Sequence, residues 1–200
     1  LERAGEITTV VLDKTGTITR GQPAVTRVHL NGHSRDEDEI IRLVASVERG
    51  SEHPLGEAIT AEANARGLAL SEPLGFSAIA GQGVQAEVEG QKVLVGNRRV
   101  LEAKDIDLKH IEDDLRHLEE AANTAILVAV DDKLAGAIGV ADTIKEGSLI
   151  AIEELHKMGL KAAMVTGDTQ RTAHAIAEQV AADTASAEAP PGATATTTKT

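Results

Sequence analysis

Apolar and polar positions change rhythm several times along the chain, and each rhythm predicts an element. "EITTVVLD" (Glu6–Asp13) is short, β-branched and ends at a turn, which predicts a buried strand. "DEDEIIRLVASVERG" (Asp36–Gly50) sets Ile40, Val44 and Val47 on one helical face, crowds acidic residues into its first turn and has Gly50 after its end. A second helix is predicted over "HPLGEAITAEANARG" (His53–Gly67), with Pro54 in the first turn and Gly67 as the stop. Across Gly75–Asn97, Val84, Ala86 and Val88 alternate with Gln85, Glu87 and Glu89, and "EGQ" turns the chain into "KVLVG", the pattern of antiparallel strands. "HIEDDLRHLEEAAN" (His110–Asn123) predicts a helix on Ile111, Leu115 and Leu118, and Thr124–Ala141 predicts two strands about the turn Asp131–Lys133.

From there the rhythm becomes β-α-β-α: "GAIGVAD", "IKEGSLIAIEELHKMG", "LKAAMVTGD", "QRTAHAIAEQVA". That is parallel-sheet grammar, and the opening strand shares it. The economical organisation is an α/β domain built from both ends of the chain, residues 1–22 and 133–182, with an α+β antiparallel-sheet domain, residues 23–132, inserted in it. The Ala/Thr/Pro-rich stretch 183–200 lacks periodicity and is expected to be a disordered tail.

Composition changes this picture in three ways. Phe76 is the only aromatic residue of 200, so the cores must be aliphatic. The net charge of −12 argues against nucleic acid or an anionic membrane surface as a partner, and it makes an anionic ligand such as a nucleotide depend on local amides, cations or metal. The absence of cysteine excludes disulfides and thiolate metal sites. No apolar run approaches a membrane span and no signal peptide is visible, so the chain is expected to be soluble.

The candidate chemistry begins at Asp13, which ends a predicted parallel strand, the edge at which open α/β sheets bind ligands. A carboxylate there can be a nucleophile toward phosphorus. Lys14, the hydroxyls of Thr15 and Thr17 and the amides around Gly16 could donate to phosphoryl oxygens. "MVTGD" (Met164–Asp168) is a second strand of the same kind, and pairing it beside the first would put Thr166, Gly167 and Asp168 at the same edge as Asp13. Thr166 could equally be a plain helix cap. In "SEHPLGEAI", His53 precedes a helix and could bond or stack against a nucleotide, or simply cap the helix. "GQGV" (Gly81–Val84) and "VGN" (Val95–Asn97) permit close backbone approach, or are turns. His29 and His33 flank a turn, His110, His117, His156 and His174 fall on helices, and Asp36–Glu39 is a helix N-terminal charge bias.

Taken together, these strings carry a resemblance. "DKTGT" (Asp13–Thr17) resembles the phosphorylation signature of P-type ATPases. "SEHPL", "GQGV" and "VGN" resemble the nucleotide-binding domain of the heavy-metal-transporting, copper/zinc-type branch, and "VTGD" resembles the next block of its phosphorylation domain. The likeness runs from about Ile7 to about Val180 in family order. It implies a haloacid-dehalogenase-like phosphorylation domain split by a nucleotide-binding domain. It also implies Asp13 as acceptor of the γ-phosphoryl group of ATP with Mg²⁺ present, with Thr15 helping to hold Mg²⁺ through its carbonyl and Thr166 bonding the phosphoryl group. Glu48, His53, Gly81, Gly83 and Asn97 would line the ATP site. The implied partners are ATP and the transmembrane and actuator domains of a parent pump at the cytoplasmic face of a membrane; the transported metal is not expected to bind this chain.

The family pattern continues into a lysine and a "GDGxND" block, and neither is present; the only lysine after Asp168 is Lys199. The expectation is therefore an excised piece or a truncated product, which binds nucleotide and turns over slowly or not at all. Residues 23–132 are expected to fold and bind ATP alone. The second reading is a nucleotide-binding module only. A free phosphatase of the superfamily fits less well, because Thr15 stands where such enzymes carry a second Asp.

Overall fold

The computed structural model describes residues 7–32, 35–49, 51 and 53–187. The strands are β1 (Thr9–Asp13), β2 (Thr19–Leu30), β3 (Leu74–Ile79), β4 (Gly83–Val88), β5 (Gln91–Gly96), β6 (Thr124–Val130), β7 (Lys133–Ile144), β8 (Lys161–Val165) and β9 (Thr184–Ser186). The helices are α1 (Glu37–Glu48), α2 (Pro54–Ala65), α3 (Arg98–Glu102), α4 (Glu112–Glu120), α5 (Glu146–Lys157) and α6 (Gln170–Gln179). The chain divides into two compact units, residues 1–22, 119–124 and 142–200 in one and residues 23–118 and 125–141 in the other.

The discontinuous unit holds the parallel sheet, in the order β1-β8-β9. β1 and β8 run parallel with Asp13 opposite Val165. Alternate residues of β8, Ala162 and Met164, join Ile152 of α5 and Ala173, Ile176 and Ala177 of α6 in an aliphatic core. β9 pairs β8 in parallel, Ala163 to Thr184 through Val165 to Ser186. The expected disordered tail therefore begins too early. Asp183 accepts hydrogen bonds from the Ala162 amide at 2.7 Å and from His156 Nε2 at 2.9 Å, and these hold its carboxyl below the ordinary range. Residues 188–200 of that expected tail lie outside the described residues.

The inserted unit is built on a six-stranded sheet in the order β2-β7-β6-β5-β4-β3, with β3, β4, β5 and β6 successively antiparallel. Its period-two alternation feeds two cores. Val93, Val95, Ile126, Val128 and Val130 pack with α1 and α2 on one face. Leu94, Leu127 and Ala129 pack with Leu101, Leu115 and Leu118 on the other. This is why β6 reads as an unbroken apolar run, since both of its faces are buried. Each large aliphatic side chain so buried contributes roughly 1.5–3 kcal/mol. Phe76 takes no part: on edge strand β3 it is 41% exposed. β7 belongs to this sheet, and residues 125–141 lie in the inserted unit, so the return to the α/β unit comes at Asp142 rather than at residue 133.

Candidate functional site

The turn after β1 is shaped by Gly16 at φ 77, with Thr15 also outside helical backbone. Asp13, Thr15 and Thr17 are exposed there, while Ile18 anchors the turn in the core. Three contacts from the start of α5 hold it: the Lys145 amide and the Ser148 hydroxyl both donate to the Ile18 carbonyl, at 3.0 and 2.7 Å, and the Lys145 ammonium donates to the Gly16 carbonyl. Asp142 closes the far side, accepting from Thr19 Oγ1 at 2.5 Å and from the amides of Gly21 and Gln22 at 3.0 and 3.1 Å. Lys145, Ser148 and Asp142 were not singled out from sequence, because their partners lie more than a hundred residues away along the chain.

Parallel pairing of β1 with β8 brings Asp13 and the Thr166–Asp168 turn to one sheet edge. Asp168 does not stand free there. Its Oδ2 accepts from Lys14 Nζ at 2.5 Å and from Thr166 Oγ1 at 3.1 Å, and its Oδ1 accepts from Thr124 Oγ1 at 2.9 Å. The Lys14–Asp168 pair is largely buried, with side-chain exposures of 10% and 12%. Lys14, read from sequence as a donor to phosphoryl oxygens, here has its ammonium engaged by Asp168. Thr166 is buried and its Oγ1 accepts from the Asp168 amide at 3.2 Å. Gly167 is exposed at the same turn. The Asp13 carboxylate and the Thr15 carbonyl are hard oxygen donors of the kind Mg²⁺ takes. They do not make a complete set, since no group of three His, Cys, Asp or Glu side chains that could hold a metal occurs among the described residues.

In the inserted unit the remaining candidates fall into two groups. At the junction of α1 and α2, Glu48, Ser51 and His53 come together. His53 caps α2 through Nδ1, which accepts the Leu55 amide at 3.2 Å, while the His53 amide donates to Ser51 Oγ at 3.2 Å. This is the capping role weighed from sequence, and it leaves Nε2 without a hydrogen bond among the described residues. Glu48 Oε2 is buried with no partner among the described residues. Burial raises the Glu48 carboxyl above its ordinary pKa, against the opposing pull of a Ser51 hydrogen bond and of His53.

The second group is the β3–β4 turn against the end of β5. Gly81 sits at φ +68, a conformation side chains resist. A Cβ on Gly83 would overlap the Val95 carbonyl oxygen and stand 2.6 Å from Gly96 Cα. Asn97 joins the pieces: its Nδ2 donates to the Gly81 carbonyl at 3.1 Å, and its Oδ1 caps α3 by accepting the Val100 amide at 3.3 Å. No hydrogen bond connects this group to Glu48 or His53 among the described residues. An open cavity of about 440 Å³, lined by Arg49, Thr60, Asn64, Leu68 and Leu70, contains none of the residues singled out from sequence.

Residues 7–191 match the haloacid dehalogenase-like hydrolases, and the chain belongs to that family. Within it, the chain is similar to the catalytic region of heavy-metal P-type ATPases. It is 47% identical over 189 residues to a copper-exporting P-type ATPase of Staphylococcus aureus (strain bovine RF122 / ET3-1). That alignment covers 94% of this chain and 23% of the relative, so the chain spans under a quarter of the length of the curated relatives it matches. Among solved structures, a zinc-transporting PIB-type ATPase in the E2.Pi state aligns with TM-score 0.67 at 35% identity, over 91% of this chain and 29% of that one. The N-domain of a copper-transporting P-type ATPase aligns with TM-score 0.50 at 29% identity, over 60% of this chain and 98% of that one.

Proposed function

We propose that the chain is the ATP-binding and aspartyl-phosphorylation region of a heavy-metal-transporting P-type ATPase. The observation that carries this reading is the parallel register of β1 and β8, which puts the Asp13 tip beside the Thr166–Asp168 turn. In this reading Asp13 is the phosphoryl acceptor and Thr166 a hydrogen-bond donor to the phosphoryl oxygens. Asp168 holds Lys14 and with it the shape of the turn. Mg²⁺, when bound, neutralises the charge that develops on the transferred group, and Asp13 and the Thr15 carbonyl would be among its ligands. Glu48, His53, Gly81, Gly83 and Asn97 form the nucleotide site; the unpartnered Glu48 Oε2 fits a ligand that brings a donor. ATP, the membrane and actuator domains of a parent pump, and the cytoplasmic face of a membrane are the corresponding partners and place. Among the described residues no helix is long and apolar enough to cross a membrane.

These 200 residues contain no lysine between Asp168 and Lys199, so turnover by the chain itself is expected to be very slow. The test is incubation with γ-labelled ATP, acid quench and peptide mapping, on the chain and on a version extended with the lysine and "GDGxND" block. Acid-stable label on Asp13 of the extended protein, abolished by Asp13→Asn without unfolding, is the expected result. Label on another residue refutes the assignment.

A further inference from the structure

The junction of α1 and α2 contains a glycine to which the nucleotide reading assigns no role. Gly56 lies in the first turn of α2, at an ordinary helical backbone where glycine is the least favoured residue but proline. Nine described glycines have a positive φ that calls for the residue, and Gly56 is not among them. A Cβ built on it would overlap Glu48 Oε2 and stand 2.9 Å from Glu48 Cδ and 3.2 Å from Glu48 Cβ. The Glu48 carboxyl therefore occupies the space that any side chain at 56 would fill. Its Oε2 rests there buried and, among the described residues, unpartnered, a costly arrangement for a side chain flexible enough to swing into water.

We propose that Gly56 is a positioning residue for the base end of the nucleotide site: its missing side chain holds open the room in which the Glu48 carboxyl waits for the exocyclic amine of an adenine. This rests on the nucleotide reading above, in which Glu48 lies in the ATP site, and goes beyond it in assigning Gly56. An amine donor satisfies the orphan oxygen, whereas a base without one leaves it unpaired. The overlap is with the far end of a flexible side chain, so a methyl group at 56 displaces the carboxyl more readily than it disrupts α2. Alanine is also the better helix former at this position. Specificity for the base and stability of the fold should thus respond in opposite directions to the same substitution.

The experiment is calorimetric titration of the whole chain with ATP and with purine riboside triphosphate, which lacks the amine. The wild-type chain is expected to favour ATP by about tenfold, the worth of one buried hydrogen bond. Gly56→Ala should remove that preference by weakening ATP alone, with the melting temperature unchanged or raised. In a Glu48→Ala background, where the space is empty, adding Gly56→Ala should change neither affinity. An unchanged ATP preference in Gly56→Ala overturns the proposal. So does an equal loss of ATP affinity in both backgrounds, which would mean that the methyl group acts through α2 and not through Glu48. Should Gly56→Ala melt early, the pair of chains with and without it in the Glu48→Ala background still decides, because there no overlap remains. No binding of either nucleotide by the wild-type chain would instead sink the nucleotide reading itself, and this inference with it.

Discussion

Burial raises the Glu48 carboxyl, while Ser51 and His53 oppose the shift, so the native state holds a proton on Glu48 to higher pH than the unfolded chain does. For an acid raised on folding, the stability it contributes is full below its unfolded value, about 4.3. That contribution is lost as pH rises through the native value. Glu48→Gln is neutral at every pH and should therefore melt above the wild type at pH 7, with the difference shrinking as pH falls toward about 4. A difference that grows on acidification would reverse the sign and show that the carboxylate is welcomed. Asp13 was legible as a candidate because its string is short, local and chemically crowded. The engagement of Lys14 with Asp168 was not, since 154 residues separate the pair and only the β1–β8 register unites them. Glu48 gave no local sign of its burial either; that depends on α2 folding back over the end of α1.

Elements were legible where their periodicity was clean. α1 has its apolar face, acidic first turn and Asp36 cap, whose Oδ1 accepts the Glu39 amide at 2.8 Å. β2 was missed. Its inward residues Val25 and Val28 are three apart and so out of phase for a strand, and Pro23 counts against one. Its pairing with β7 is what makes it a strand, including Thr26 Oγ1 donating to the Gly139 carbonyl at 3.1 Å. The β3–β4 turn was legible as glycine-rich, but whether its glycines serve a ligand or the backbone was not. The backbone alone already requires Gly83, whatever it does for a ligand, because the β4–β5 pairing brings Val95 and Gly96 too close for any Cβ. Gly90 has open space around it and only a positive φ to satisfy. Gly83→Val should therefore lower the melting temperature far more than Gly90→Ala, for which about 1 kcal/mol of backbone strain is expected. Equal melting temperatures would return Gly83 to the status of an ordinary turn residue.

At the scale of the whole chain, the two-unit organisation was legible as a change of rhythm, from parallel β-α alternation to antiparallel strands and back, but the place of return was not. β7 continues as one strand from Lys133 to Ile144, across the point at which the units divide, and nothing local in "KLAGAIGVADTI" marks Asp142. This has a direct consequence for what can be cut out. Residues 23–132, the expected inserted domain, would leave β6 and β2 without the strand that lies between them. They would also lose Leu134, Ile138 and Val140, which are buried in the two cores. At roughly 1.5–3 kcal/mol for each large aliphatic side chain, that loss reaches about 5 kcal/mol or more, comparable with the whole stability of a typical domain. Residues 23–141 keep the strand and both cores. The longer segment is therefore expected to unfold cooperatively and to bind ATP with the affinity of the intact chain. The shorter one should show neither a cooperative transition nor dispersed amide resonances. Side-by-side denaturant titration and amide NMR with ATP decide between them. A folded, ATP-binding 23–132 would show that β7 is dispensable to the sheet, and a folded 23–141 that ignores millimolar ATP would remove the nucleotide site from this unit.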